Sequence, residues 1–114
     1  MQTVVETPSY LNAAKDLRIT AEMRSTIVNA VSADPRLGDA MVGTGGCRKF
    51  RWGKDGKGKS GGVRVISFYS GAGMPVFLLT MFGKNEQANL TKAERNDLAA
   101  FTRVLVDTYR ARRR

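Results

Sequence analysis

The sequence has no histidine and a single cysteine, Cys47, among its 114 residues. Without histidine, a Ser-His-Asp triad, an imidazole-based nuclease site and a histidine-ligated metal are all excluded. A lone cysteine excludes an intramolecular disulfide and a Cys-x-x-Cys zinc site. Any chemistry must therefore be done by lysine, arginine, carboxylate, tyrosine or serine side chains, or by the backbone. We expect no metal and no other cofactor.

Long apolar runs are also missing, because no stretch approaches the roughly 18 consecutive apolar residues that a membrane-spanning helix needs. The first residues, MQTVVETPSY, lack the basic and apolar segments of a secretory signal. We therefore expect a cytoplasmic protein without a membrane partner. The length is typical of one domain, which we place at residues 1–114.

Acidic residues are few, 10 against 19 lysines and arginines, and the net charge of +9 is concentrated in two segments. Residues 1–45 carry four basic and five acidic side chains, residues 46–68 carry seven and one, and residues 69–114 carry eight and four. The basic segments are CRKFRWGKDGKGKSGGVR and the final RARRR. Clustered cations indicate a polyanionic partner such as nucleic acid. Their other interpretation is a solvated loop with a basic tail.

The pattern of apolar residues predicts an α+β protein with the element order β-α-α-β-β-β-α. Three consecutive strands with short links indicate a mainly antiparallel, twisted sheet packed against helices. The predicted strands are residues 3–6, 47–52, 63–69 and 76–82, and the predicted helices are residues 11–17 with Ser9 as the cap, residues 20–33 and a third helix after Thr91. Residues 36–46 are predicted to be a loop.

The first of the three consecutive strands alternates between cations and aromatics. Phe50 and Trp52 occupy one set of positions, and Lys49 and Arg51 occupy the other. Because successive side chains of a strand point to opposite faces, the two cations should share the face opposite the aromatics.

The last helix has a clear beginning. Thr91 and Glu94 have the spacing of a capping box, in which each side chain bonds the other's backbone N–H. After it, Leu98, Phe101 and Leu105 have the spacing of one helix face, and we expect all three to be buried.

Residues 53–60, GKDGKGKS, match the G-x-x-x-x-G-K-S pattern of a phosphate-binding P-loop. That motif works between a buried strand and a helix N-terminus, whereas GGVRVISFY, which follows here, is predicted to be a strand. We therefore expect no nucleotide cofactor. The segment is interpreted as a hairpin loop whose Lys54, Lys57 and Lys59 contact phosphates.

Two segments, GTGGCRKFRWGKDGKGKSGGVRVISFY and PVFLLTMFGKNEQANLTKAERNDLA, resemble the RelE superfamily of toxins from type II toxin–antitoxin systems, and within it the HigB-like branch. The resemblance covers roughly residues 40–100. It implies a RelE-like fold, with two N-terminal helices against a twisted, mainly antiparallel sheet. It also implies ribosome-dependent cleavage of messenger RNA. The implied partner is a cognate antitoxin, a helix-turn-helix DNA-binding protein encoded by a neighbouring gene.

The resemblance also implies a catalytic set of four cations. Lys49 and Arg51 match the family's basic pair on the strand before the loop, and Arg64 matches the arginine that opens the next strand. Lys84 matches the basic residue after the last strand, with Asn85 as the alternative. Further RNA contacts are predicted at Lys54, Lys57, Lys59, Arg48, Arg112 and Arg113.

The identity of the general base is the point at which this chain departs from the family. RelE enzymes place a tyrosine shortly after the last strand, near the position of Leu90 here, and other relatives use histidine. Cleavage through the RNA 2′-OH needs a proton acceptor and stabilisation of the phosphorane. A lysine could accept the proton if burial and cationic neighbours disfavoured its charged form, and Lys49 has such neighbours. Arg51 and Arg64 suit the phosphate, because guanidinium binds oxygen pairs in a fork.

Three functions are compatible with these residues. The first is a messenger-RNA endonuclease that acts on the ribosome and inhibits translation. The second is a basic protein that binds RNA or the ribosome without catalysis. The third is a toxin on the same fold that poisons DNA gyrase, which the fold by itself does not exclude.

Overall fold

A computed structural model of the chain describes residues 1–53, 62–71, 73–83 and 90–112. In chain order, its elements are β1 (Val4–Glu6), α1 (Pro8–Asp16), α2 (Ala21–Ala33), β2 (Asp39–Ala40), β3 (Cys47–Trp52), β4 (Val63–Phe68), β5 (Val76–Gly83) and α3 (Lys92–Arg112). Every predicted helix and strand is present, and β2 is an addition within the predicted loop. Over the described ranges, no helix combines the length and apolarity needed to cross a membrane.

The strands form a five-stranded sheet in the order β1-β5-β4-β3-β2. The pairs β2–β3, β3–β4 and β4–β5 are antiparallel, whereas β1 pairs with β5 in parallel. The parallel pair is possible because a long connection, which includes α1 and α2, separates β1 from β5. The predicted α+β fold, with a mainly antiparallel sheet packed against helices, is confirmed.

Helices α1 and α2 pack on one face of the sheet and bury the first of two core clusters. The buried members of this cluster are Tyr10, Ala14, Ile19, Met23, Ile27, Val31, Phe50, Val63, Val65, Val76, Leu78 and Met81. Thr20 caps α2 by accepting a hydrogen bond from the Met23 N–H at 3.1 Å. The helix ends at Ala33, with Asp34 as its C-cap, because the residue before a proline avoids the helical region.

The prediction that Ser9 caps α1 is wrong, because Thr7 has that role. The Thr7 hydroxyl accepts from the Tyr10 N–H at 3.3 Å and donates to the Leu78 carbonyl at 2.8 Å. Pro8 then occupies the first helical position, where its fixed φ is favourable and its missing N–H has no cost. Thr7 therefore starts the helix and ties it to β5 at the same time.

Helix α3 packs on the opposite face of the sheet. Its capping box is confirmed, since the Thr91 N–H donates to Glu94 Oε1 at 2.8 Å and the Glu94 N–H donates to Thr91 Oγ1 at 3.1 Å. The second core cluster consists of Met41, Cys47, Ile66, Phe68, Met74, Phe77 and Leu79, against which α3 packs Leu98, Leu105, Val106 and Tyr109.

The prediction that Phe101 is buried is wrong, because its side chain is 40% exposed. Thr102, which is 3% exposed, takes the inward position. Its hydroxyl donates to the Ala99 carbonyl at 2.9 Å and lies 3.4 Å from the Thr44 carbonyl oxygen. A hydroxyl satisfied in this way can be buried at little cost, so α3 can turn Thr102 toward the sheet and Phe101 toward solvent.

Candidate nucleic-acid interface

The cations of β3 and β4 meet on one face of the sheet, the face on which α3 packs. The β3–β4 register places Arg51 directly opposite Arg64, and Lys49 directly opposite Ile66. Residues directly opposite each other in an antiparallel pair have their side chains on the same face. The predicted separation of these cations from Phe50, which belongs to the core on the other face, is confirmed.

Neighbouring strands extend these pairs into two rows. On β5, Phe82 lies opposite Arg64 and Thr80 lies opposite Ile66. On β2, Asp39 lies opposite Lys49. We call this surface the basic face and define it by the rows Arg51–Arg64–Phe82 and Asp39–Lys49–Ile66–Thr80. Sequence reasoning missed Asp39, Thr80 and Phe82, because strand register is not encoded in local spacing.

Exposure varies across the basic face. Arg51 is exposed, and Lys49, Arg64 and Phe82 are half-buried. Ile66 is buried because it belongs to the core cluster that α3 covers. Accessibility therefore increases along β3 and β4, from the row that contains the buried Ile66 to the row that contains the exposed Arg51.

The electrostatics of the first row are unfavourable without a ligand. Side chains directly opposite in an antiparallel pair have Cβ atoms about 4.5–5.5 Å apart, and like charges there are destabilising. No carboxylate among the described residues forms an ion pair with Arg51 or Arg64, whereas Arg24 pairs with Glu6 at 3.0 Å elsewhere in the structure. Two guanidinium groups at this spacing can both donate to one phosphate, which would offset their repulsion.

The backbone that carries the two arginines is held by close packing. A Cβ at position 62 would overlap the Trp52 carbonyl, so glycine is required where β4 begins beside β3. On the other face, Trp52 Nε1 donates to Thr26 Oγ1 at 3.2 Å, and the Trp52 ring packs edge-on against Phe50 with centroids 6.1 Å apart. This packing holds the end of β3 in place around Arg51.

The remaining predicted RNA contacts do not all lie on the basic face. Arg48 faces the other way and donates from Nη1 to the Gly38 carbonyl at 3.0 Å. Arg112 is the last residue of α3 and is exposed. The predicted residues Lys54, Lys57, Lys59, Lys84 and Arg113 lie outside the described residues. The next described element after residues 53–60 is the strand β4, as predicted, whereas a P-loop leads into a helix.

Cys47 is a core residue and not a nucleophile. Its side chain is 1% exposed, and burial raises the pKa of its thiol to about 11, against a smaller opposing effect of the hydrogen bond with Thr44. A thiol with that pKa is protonated at neutral pH and therefore unreactive. Within the described ranges, no group of three or more histidine, cysteine, aspartate or glutamate side chains could hold a metal.

Comparison with known proteins agrees with this architecture. Residues 3–112 match the sequence profile of a family described as the RelE toxin of the RelE/RelB toxin–antitoxin system. Among solved structures, the chain is similar to an arginine double mutant of the E. coli toxin RelE in the free state, with a TM-score of 0.54 and 19% sequence identity. The similarity covers 89% of this chain and 96% of the other, and at this identity it establishes the fold.

Proposed function

The chain belongs to the family of RelE toxins of RelE/RelB toxin–antitoxin systems, and on that premise we propose that it cleaves messenger RNA on the ribosome and so inhibits translation. The observation that carries this proposal is the opposition of Arg51 and Arg64 on the basic face without a described carboxylate partner. Two cations that the sheet places next to each other, in spite of their repulsion, are suited to binding a phosphate group.

In the proposed reaction, the 2′-oxygen of one ribose attacks the adjacent phosphorus, and the 5′-oxygen of the next nucleotide leaves. Arg51 and Arg64 bind the non-bridging phosphate oxygens and stabilise the charge of the phosphorane. Lys49 lies half-buried in the neighbouring row, and its amine, when uncharged, would take the 2′-OH proton, as the chain has no histidine to do so. Asp39, opposite Lys49, is the second candidate for this step. Lys84 is proposed to assist at the leaving oxygen.

The supporting contacts and partners are proposed from the family and the charge distribution. Family members pair with an antitoxin, and we propose one with a helix-turn-helix DNA-binding domain encoded by a neighbouring gene. The ribosome and messenger RNA are the other partners, which requires a cytoplasmic location. Additional RNA contacts are proposed at Lys54, Lys57, Lys59, Arg48, Arg112 and Arg113. The HigB-like branch is proposed from the segments RKFRW, GKSGGVRV and KNEQANL.

A translation extract tests the proposal directly. The full chain should cut a reporter message only while that message is being translated, at sites mapped by primer extension. Arg64→Ala should slow cleavage by about 10²–10³-fold, because one donor to the transition-state charge is lost. The control is Arg103→Ala, which removes an exposed arginine on α3. This variant should cleave the message at the same rate as the parent chain. Equal cleavage by Arg64→Ala and the parent chain would refute the site.

A non-catalytic RNA- or ribosome-binding function is the second candidate, because no histidine is available as a base. It predicts that the chain stalls translation while the bound message stays intact. The same extract separates the two, since the length of the message after extraction reports cleavage and protein synthesis reports inhibition.

A further inference from the structure

Phe82 differs from the other aromatic residues of strands β3, β4 and β5 because no ring within the described residues packs against it. The paired rings are those of Phe50 with Trp52 and of Phe68 with Phe77, each with centroids 6.1 Å apart. Among the described residues, the cation–π contact is that of Arg36 with Tyr69, so no guanidinium there lies over the Phe82 ring. Packing with other aromatics therefore does not account for an aromatic residue at this position.

The position of Phe82 relates it to the proposed phosphate site. It lies directly opposite Arg64 and ends the row that begins at Arg51. Adjacent strands are about 4.8 Å apart, so Phe82 is one strand spacing from Arg64 and two from Arg51. If a phosphate is bound between Arg51 and Arg64, the nucleoside attached to that phosphate can reach β5, the strand that carries Phe82.

The environment of Phe82 combines support with accessibility. Part of the side chain packs against the second core cluster, which restricts its motion. It is nevertheless half-buried, whereas Phe77, on the same face near the other end of β5, is 5% exposed. A partly exposed ring that is already held by the core loses little conformational entropy when a ligand packs on it.

We propose that Phe82 is a base-stacking site on which the nucleobase next to the Arg64-bound phosphate packs its ring. This inference rests on the proposed function, because it needs RNA on the basic face. Every base has a π face, so stacking of this kind positions RNA without selecting one base. Purines, which have the larger ring area, should stack best.

The test of the site uses a series of short single-stranded 2′-O-methyl RNAs. Each RNA carries one 2-aminopurine, at a different position in each member of the series. The methyl group blocks the 2′-oxygen, so the RNA binds without being cut, and 2-aminopurine loses fluorescence when it stacks. The full chain should quench the probe at one position. Phe82→Leu should abolish that quenching and weaken binding roughly tenfold, while the dependence of binding on salt stays the same because the cations remain.

The controls separate stacking from folding. Phe101→Leu makes the same change at an exposed phenylalanine on α3 and should leave quenching and affinity unchanged. Phe82→Tyr should keep both. If circular dichroism shows that Phe82→Leu is unfolded, Phe82→Trp decides, because its larger ring should deepen the quenching and tighten binding. Quenching that persists in Phe82→Leu, or is unchanged in Phe82→Trp, would overturn the inference.

The outcomes also separate this inference from the proposed function. Quenching at one position, together with failure to cut unmodified messages in the translation extract, would support the stacking site and overturn the endonuclease. Cleavage of messages without quenching at any position would overturn the stacking site alone. If the parent chain binds none of the RNAs, the stacking site falls together with RNA binding by the basic face.

Discussion

Arg51 and Arg64 lie directly opposite each other on β3 and β4, with both side chains on the sheet face where α3 packs. Such a pair weakens the fold, since like charges directly opposite each other in a sheet are destabilising. A residue pair that costs stability and has no described carboxylate partner is best explained by a phosphate ligand. Stability and activity should therefore change in opposite directions when one arginine is neutralised.

Arg51→Gln tests this relationship. Removal of one charge from the opposed pair should raise the free energy of unfolding, measured by urea denaturation, by roughly 0.2–1 kcal/mol, the size typical of interactions between exposed charges. It should also slow messenger-RNA cleavage. Arg103→Gln, the matched change on α3, should give neither the gain in stability nor the loss of activity. A destabilised Arg51→Gln would mean that Arg51 has a partner that stabilises the folded chain.

Salt dependence of RNA binding measures the number of phosphate contacts. For single-stranded RNA, each contact contributes about −0.7 to the slope of log K against log salt concentration. Arg64→Gln should therefore give a slope shallower by about 0.7, whereas Arg103→Gln should give the parent slope. A parent chain with a flat salt dependence would contradict a phosphate-binding basic face.

Thr7 should be the most sensitive polar residue of the N-terminal part. Its hydroxyl both caps α1 and bonds the Leu78 carbonyl on β5, and the side chain is 5% exposed. Thr7→Ala removes the cap and leaves a buried carbonyl with one bond fewer, which should cost about 1–2 kcal/mol of unfolding free energy. Thr7→Ser keeps the hydroxyl and should lose less than half of that. Equal losses in the two variants would assign the effect to the methyl group.

Cys47 should react with thiol reagents only when the chain unfolds. Its thiol is buried, and its pKa is raised from the ordinary 9.0 to about 11. Alkylation at pH 8 should be slow in buffer and fast in urea. Because the folded pKa is the higher one, this thiol stabilises the fold below about pH 9, and that contribution is lost as pH rises from 9 to 11. Cys47→Ala should be less sensitive to pH over that range, and rapid labelling of the folded chain would contradict the burial.

Part of the candidate site could be predicted from spacing alone. The alternation of Lys49 and Arg51 with Phe50 and Trp52 placed both cations on one face, because a strand repeats every two residues. Arg48 was nevertheless predicted as an RNA contact, and only the structure showed that it lies on the opposite face from Lys49 and Arg51. The start of a helix could be predicted where the capping pair is local, as at Thr91. The predicted cap at Ser9 was wrong, because the actual cap, Thr7, also depends on a contact with a distant strand.

The sequence by itself determined the kinds and order of the elements other than β2, the exclusion of histidine and disulfide chemistry, and the concentration of positive charge in and around β3. The tertiary structure decided that Arg51 opposes Arg64, that Phe82 completes their row, and that α3 buries Thr102 in place of Phe101. The physical reason is that local periodicity fixes which side chains of one element share a face. The register between elements depends instead on packing between segments far apart in the chain.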